Sequence, residues 1–204
     1  MGLVWLVRHT ETEWSKAGRL QGSIDVPLCD AGRRNARMVA SRLITARVER
    51  LLASPLKRAR ETAEIIGSVI GVRLEVVPEL REMSFGAFEG KSHDEIESIS
   101  PGFKKEWMTS PTTVVFPGGE SLVELEARCI GFIKNIACDV ERAGAIALVS
   151  HGQVLRTIFC WTLGLDQNAR NRFTVQCGSI SVLEMDGAHV KLISLNETGH
   201  LITK

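Results

Sequence analysis

Short apolar runs alternate with amphipathic segments along most of this chain of 204 residues. Residues 3–7 are continuously apolar, a pattern typical of a buried strand in a parallel sheet. Similar runs at residues 51–53, 74–77 and 145–150 predict three further strands. Each run is short and is followed by polar or turn-forming residues, which favours a strand over a buried helix.

Between these runs, apolar residues recur at the three- and four-residue spacing of an amphipathic helix. Asp30 is expected to cap a helix that continues to about residue 45. Ser54 is expected to cap a second helix, with Pro55 at its first position and an end near Gly71. The same spacing predicts further helices at residues 92–99, 102–108, 118–142 and 154–163.

The C-terminal part predicts strands at residues 173–175, 180–185 and 190–195, with a turn at Asp186-Gly187. Strand–helix alternation that ends in an antiparallel pair predicts a three-layer α/β/α sandwich with a mainly parallel sheet. Since 204 residues are enough for one sizeable core, we expect residues 1–204 to form a single domain. Residues 83–117 are interpreted as a lid or specificity insertion within it.

The composition excludes several classes of function. The net charge is +1, so no global field attracts nucleic acid or a membrane surface. No apolar stretch approaches the roughly 20 residues of a membrane span, and no secretory signal is recognised, which predicts a cytoplasmic protein. The five cysteines are scattered without a CxxC pair, which argues against a zinc site and against a disulfide framework.

Arginine and histidine residues follow three of the predicted strands. Arg8 and His9 come directly after the first, Arg58 lies in the helix turn after the second, and His151 directly follows the strand at 145–150. Ligands of open α/β sheets bind beyond the carboxyl ends of the strands. Arg8 and His9 alone are compatible with a solvated strand end, but four such side chains at one edge favour an anion site. Arginine binds phosphate through paired hydrogen bonds, and the helix N-termini after Ser54 and His151 are expected to add backbone amides.

Several sequence blocks occur in the order typical of the histidine phosphatase superfamily, the phosphoglycerate mutase-like proteins. Residues 6–14 resemble the RHGET signature of that family, and residues 18–28 resemble its next segment. The resemblance covers nearly the whole chain, so the blocks together are far more specific than any one of them. The remaining blocks are residues 53–63, 80–90, 117–121 and 149–152.

The resemblance implies phosphoryl transfer to His9, which would become a phosphohistidine. Arg8, Arg58 and His151 would hold the three equatorial oxygens, where negative charge sits in the transition state. Arg8 and Arg58 also disfavour the protonated form of His9. Glu82 would protonate the leaving alkoxide and then deprotonate the attacking water; its alternative is a surface carboxylate beside the preceding arginine. The cations would do what a metal ion does elsewhere, so we expect no metal and no other cofactor.

The resemblance also implies substrate contacts at four positions in or directly beside the matched blocks: Ser15, Gln21, Gly22 and Gly152. His200 is added to this set, because C-terminal segments near this position contact substrate in some relatives. Three positions depart from the family pattern: Thr10 replaces a usual glycine, Ser15 an asparagine and Gln153 a glycine. None of these changes removes a charged catalytic residue, so activity is expected.

We favour a phosphomonoesterase whose partner is a small-molecule phosphomonoester. Mutases with this pattern usually have a longer insertion than the ordinary span of about 35 residues between Gly86 and Glu120. The resemblance is strongest to the small α-ribazole and broad-specificity phosphatases, with phosphoserine phosphatases also close, although an apolar Phe85 argues mildly against the latter. A regulatory module that binds phospho-ligands without turnover is the other alternative, but it has no use for His9 and Glu82. The physiological substrate and the oligomeric state are not predicted.

Overall fold

Six strands form one sheet in the computed structural model of the chain, which describes residues 1–201. The spatial order is third, second, fourth, first, fifth and sixth strand; the first four are parallel, and the fifth is antiparallel to both of its neighbours. The expected mainly parallel sheet with an antiparallel end is therefore confirmed. The bounds are β1 (Gly2–Arg8), β2 (Arg50–Ala53), β3 (Leu74–Val76), β4 (Ala145–Ser150), β5 (Ile180–Asp186) and β6 (His189–Glu197).

The main difference from the predicted helices is that one of them is divided into two. The helix expected at residues 118–142 is interrupted at Ile136, because its first part packs against the helix after β4 while its second part packs against β1. Within residues 1–201, no helix combines the length and the apolar character needed to pass through a bilayer. The bounds are α1 (Glu13–Lys16), α2 (Asp30–Leu43), α3 (Lys57–Ile70), α4 (His93–Ile99), α5 (Phe103–Thr109), α6 (Leu122–Asn135), α7 (Ala137–Ala143) and α8 (Gly152–Thr162).

Alternation along β1 sends successive side chains to opposite faces of the sheet, and this produces the three layers. Val4 and Leu6 belong to one buried cluster, whereas Trp5 and Val7 belong to the other. Helices α2 and α3 cover the face of Trp5, and helices α4 to α8 cover the face of Leu6. Full burial of such a side chain stabilises the fold by about 1.5–3 kcal/mol. The three-layer α/β/α sandwich is confirmed.

The start of α2 lies one residue away from the expected cap. Asp30 is the first helical residue, and Cys29 occupies the capping position. The Cys29 sulfur accepts a hydrogen bond from the Gly32 amide at 3.4 Å. Asp30 still favours the helix, because a carboxylate in the first turn interacts well with the helix dipole.

Helix α3 begins at Lys57, and Ser54 is not its cap. Leu56 occupies the capping position, where its apolar side chain makes no hydrogen bond. The Lys57 amide instead donates to the carboxylate of Asp25, which lies in a loop distant in sequence. The Ser54 hydroxyl bonds to the His151 ring, so the residue serves the site at the sheet edge.

The strand expected at residues 173–175 does not form. The backbone there is irregular and follows a short 3-10 helix that ends at Arg172. The Val175 carbonyl accepts a hydrogen bond from the Arg8 guanidinium, and this contact takes the place of a strand ladder. The stretch at residues 173–175 therefore lies outside the sheet and holds the Arg8 side chain at the carboxyl end of β1.

Candidate active site

The carboxyl ends of β1 and β4, together with the start of α3, surround a cavity of about 270 Å³. Arg8, His9, Arg58 and Glu82 all line it. Because β1 and β4 are parallel neighbours with Arg8 opposite Ser150, His9 and His151 leave the sheet side by side. The topology thus brings together side chains that are far apart along the chain, as the strand-end pattern predicts.

His9 is held in one defined protonation pattern. Its side chain is buried, and its Nδ1 lies 2.7 Å from the Thr10 carbonyl oxygen. Because a carbonyl only accepts hydrogen bonds, Nδ1 carries the proton and Nε2 keeps its lone pair. Burial, followed by the charges of Arg58 and Arg8, holds the pKa of His9 well below its usual range. His9 is therefore a neutral imidazole with a lone pair on Nε2, as a nucleophile requires.

His151 lies behind His9 and is completely buried. The two ring centroids are 5.1 Å apart, and the His151 Nε2 atom lies 2.7 Å from the Ser54 hydroxyl. Burial, followed by the charge of Arg58, lowers the pKa of His151 well below its usual range, so this ring is also neutral at neutral pH. Its buried Nδ1 atom has no hydrogen-bond partner among residues 1–201.

Two arginines make the cavity electropositive, because main-chain carbonyls rather than carboxylates hold them. Arg58, on α3, is completely buried and donates to the carbonyls of Gly22 at 2.7 Å and Ile24 at 2.9 Å. Arg8 donates to the Val175 carbonyl at 2.5 Å. Burial lowers the pKa of Arg58 to about 10, which still leaves the guanidinium protonated at neutral pH. Both positive charges therefore remain available to a bound anion.

Glu82 is buried at the cavity wall, with 8% of its surface exposed, rather than solvated beside Arg81. Its Oε1 atom accepts hydrogen bonds from the backbone amides of Met83 at 3.0 Å and Gln153 at 3.3 Å. The Gln153 amide lies at the N-terminus of α8. These contacts orient the carboxyl group toward the same cavity that His9 lines.

The loop that carries Glu82 is anchored by Arg128 on α6. The guanidinium donates to the carbonyls of Glu79, Arg81 and Glu82 at 2.6, 2.8 and 3.2 Å. It also forms a two-point ion pair with Glu120, with nitrogen–oxygen distances of 2.6 and 2.7 Å. Sequence reasoning did not select Arg128, because the pair forms between α6 and the segment before it and has no local sequence signal.

Two of the expected backbone amides at helix N-termini already have partners within the chain. The Gln153 amide of α8 donates to Glu82, and the Lys57 amide of α3 donates to Asp25. For these two amides, the prediction that they face a bound anion was therefore wrong. The physical reason is that carboxylates of the chain itself satisfy the first-turn donors, which are otherwise unpaired.

Four of the five predicted substrate contacts line the cavity, namely Ser15, Gln21, Gly22 and Gly152. His200 is not part of this lining, because its Nε2 donates to the Gly178 carbonyl at 3.0 Å. The Ser15 hydroxyl lines the cavity but already has two hydrogen bonds within the chain. It donates to the Thr12 carbonyl and accepts from the Thr12 amide, which closes the first turn of α1. The hydroxyl is thus used by the helix cap in this structure.

The structure adds residues to the cavity that sequence reasoning did not select. Phe85 and His93 come from the segment at residues 83–117, and Arg156 comes from α8. Arg156 lies one helical turn after Gly152, so the same helix face presents both residues. That spacing is the signal that identifies Arg156 once α8 is known to begin at the site. Trp107 and Phe116 of the same segment are buried in the core instead.

Comparisons with known proteins identify a family for the chain. Residues 4–198 match the profile of the histidine phosphatase superfamily (branch 1). The chain is 35% identical over 178 residues to a protein of Photorhabdus laumondii named "Probable phosphoglycerate mutase GpmB", covering 87% of this chain and 82% of that protein. It is 33% identical over 198 residues to phosphoserine phosphatase 1 of Hydrogenobacter thermophilus, covering 96% of this chain and 92% of that protein.

A solved structure shows the same fold. The α-ribazole phosphatase of Shigella flexneri superposes with a TM-score of 0.85 at 26% sequence identity, covering 96% of both chains. The expected resemblance to the phosphoglycerate mutase-like proteins is therefore confirmed in sequence and in fold.

Proposed function

The chain is a phosphatase of the histidine phosphatase superfamily, branch 1, and from this premise we propose that it hydrolyses small phosphomonoesters through a covalent intermediate on His9. The observation that carries the proposal is the hydrogen bond from His9 Nδ1 to the Thr10 carbonyl, which leaves the Nε2 lone pair free at a cavity lined by two arginines. A binding module needs the arginines but has no use for this arrangement.

In the first step, the Nε2 lone pair of His9 attacks phosphorus, and the bond from phosphorus to the ester oxygen breaks. Arg8 and Arg58 face the oxygens on which negative charge accumulates. His151, which does not line the cavity itself, lies next to His9 with 5.1 Å between the ring centroids and completes the proposed set around the phosphoryl group. Glu82 supplies the proton that the leaving alkoxide needs.

In the second step, water attacks the phosphohistidine and Glu82 accepts a proton from it. Inorganic phosphate leaves, and His9 returns to its neutral form. No metal ion takes part in either step of this scheme, because the arginines supply the positive charge. We also propose that residues 83–117 contribute to substrate choice, since Phe85 and His93 of this segment line the cavity.

The test is hydrolysis of p-nitrophenyl phosphate by the purified protein in excess EDTA. We expect turnover by the wild type and its loss, by at least a thousandfold, in His9→Ala. The matched control is His189→Ala, which removes an exposed histidine at the start of β6, remote from the cavity lining. Rapid quenching with labelled substrate should trap an acid-labile, base-stable phosphoenzyme in the wild type. Full activity of His9→Ala would overturn the assignment.

A mutase-type transfer is the second candidate, because one relative with 35% identity is named a probable phosphoglycerate mutase. The two activities differ in what accepts the phosphoryl group from His9: water in a phosphatase and a substrate hydroxyl in a mutase. Partition of the labelled phosphoenzyme between inorganic phosphate and phosphoglycerates measures this directly. We expect inorganic phosphate to dominate, and dominant transfer to the phosphoglycerates would favour the mutase.

A further inference from the structure

Arg156 is a cavity-lining arginine without a partner. It projects from α8 into the lining that also contains Arg8, Glu82 and Gln153. Its Nε atom is buried and makes no hydrogen bond among residues 1–201. No carboxylate in that part of the chain forms an ion pair with its guanidinium. Burial, followed by the like charge of Arg8, lowers the pKa of Arg156.

The other arginines of the cavity each donate at least one hydrogen bond to the protein. Arg8 and Arg58 donate to main-chain carbonyls, and Arg19 pairs with Glu95 at 2.9 Å and with the Gly90 carbonyl at 2.6 Å. Arg156 differs from these three arginines because its guanidinium donates no hydrogen bond to residues 1–201.

A second buried arginine increases the positive charge on this side of the cavity. Arg170 donates through Nη2 to the carbonyl and side-chain oxygens of Gln153 and stacks over the Trp107 ring at 5.6 Å. Like Arg156, it has no carboxylate partner within residues 1–201. It fixes Gln153 in the lining but leaves its own charge uncompensated. An anion bound at Arg156 would therefore meet a region with excess positive charge.

We infer that Arg156 binds a second anionic group of the substrate, a carboxylate or a phosphate, while the first phosphoryl group lies between His9 and Arg58. The inference rests on the proposed phosphatase function and names the substrate class: a short phosphomonoester that bears another anion. A partly buried guanidinium without a partner is costly, and its planar fork matches both kinds of anion through paired hydrogen bonds. A cavity of about 270 Å³ suits two such groups joined by a short linker.

The test compares pairs of substrates that differ only in the second anion. O-Phosphoserine and O-phosphoethanolamine differ by a carboxylate, whereas propane-1,3-diyl bisphosphate and 3-hydroxypropyl phosphate differ by a phosphate. In at least one pair, we expect the wild type to have a higher kcat/KM for the member that carries the second anionic group. The pair in which this preference appears shows whether that group is a carboxylate or a phosphate. In Arg156→Gln this preference should fall by about 10- to 100-fold, mainly through KM, because a hydrogen bond to a charged group is lost. Arg156→Lys, which keeps the charge but not the fork, should recover part of it.

The matched control is Arg19→Gln, which removes a cavity arginine that already has a partner. Its preference ratio should change less than threefold. Equal losses on both members of each pair in Arg156→Gln, or no preference in the wild type, would overturn the inference while leaving the phosphatase assignment intact. If the wild type hydrolyses no substrate, including p-nitrophenyl phosphate, the proposed function fails instead. In that case, titration calorimetry measures the Kd of each member of a pair for the wild type and for Arg156→Gln. The ratio of the two Kd values then tests separately whether Arg156 binds the second anionic group.

Discussion

The imidazole rings of His9 and His151 lie 5.1 Å apart between centroids and are inclined by 57°, at the ends of the parallel neighbours β1 and β4. Two protonated imidazoles at this distance, with Arg58 close by, would repel each other strongly. Burial and the nearby arginines instead hold the pKa of each ring well below its usual range. Both rings are neutral before substrate arrives, and this neutrality has consequences for activity and for stability.

The first prediction concerns the pH dependence of activity. Because His9 must be neutral to attack, and because its pKa is lowered, kcat/KM should persist to lower pH than an ordinary histidine permits. We expect the acid limb attributable to the enzyme to lie below the value of about 6.5 of an unperturbed histidine. The measurement is a kcat/KM profile corrected for the ionisation of the substrate. An acid limb near the unperturbed value would show that His9 is not held neutral by its surroundings.

The second prediction concerns stability. The folded-state pKa values of His9 and His151 are lowered, so the unfolded chain binds more protons between those values and about pH 6.5. The stabilising contribution is complete above about pH 6.5 and is lost progressively as the pH falls below it. Urea unfolding at pH 7.5 and pH 5.5 should give a smaller difference in unfolding free energy for the His9→Asn/His151→Asn variant than for the wild type. His189→Asn is the control, and an unchanged difference in the double variant would contradict the prediction.

The sequence predicts the site well where strand order decides it. Arg8, His9 and His151 each follow an apolar run, and the carboxyl ends of parallel strands necessarily meet at one edge. Periodicity also predicts the three layers, because β1 alternates between two buried clusters.

Contacts between segments far apart in the chain could not be predicted in the same way. Ser54 has the sequence context of a helix cap, yet its hydroxyl binds His151, and only the packing of β2 beside β4 brings the two together. Cys29 caps α2 although local propensity favours Asp30. Arg128 and Arg156 look like ordinary polar residues of amphipathic helices, since nothing local reveals which loop or cavity their guanidinium groups reach.

The third prediction tests Glu82 as the proton donor. In Glu82→Gln, an alkyl phosphate such as glycerol 3-phosphate should lose about 10²- to 10⁴-fold in kcat, because its alkoxide needs a proton in order to leave. p-Nitrophenyl phosphate should lose much less in the first step, because p-nitrophenolate leaves without a proton. Burst-phase kinetics separate this step from the hydrolysis of the phosphoenzyme. Equal losses for both substrates in the burst rate would count against the acid role.

The fourth prediction assigns a positioning role to Arg128, which touches three carbonyls of the Glu82 loop and pairs with the largely buried Glu120. Arg128→Lys keeps the charge but cannot make all of these contacts, so Glu82 should lose its fixed orientation. We expect kcat for alkyl phosphates to fall on the order of tenfold to a hundredfold, with a smaller effect on the p-nitrophenyl phosphate burst. This dependence on the leaving group distinguishes lost positioning from general damage to the fold.

The control for Arg128 is Arg142→Lys, which changes an exposed arginine paired with Asp139 on the same face of the sheet but away from the cavity. Its kinetics should match those of the wild type with both substrates. Arg128→Met goes further, because it leaves the Glu120 charge buried without this partner, and unfolding should then become easier by about 3–5 kcal/mol. Adding Glu120→Gln to Arg128→Met should restore part of that stability but not the rate with alkyl phosphates, since the carbonyls around Glu82 still lack their donor. If the double variant recovers both, Arg128 supports only the fold and the positioning role is wrong.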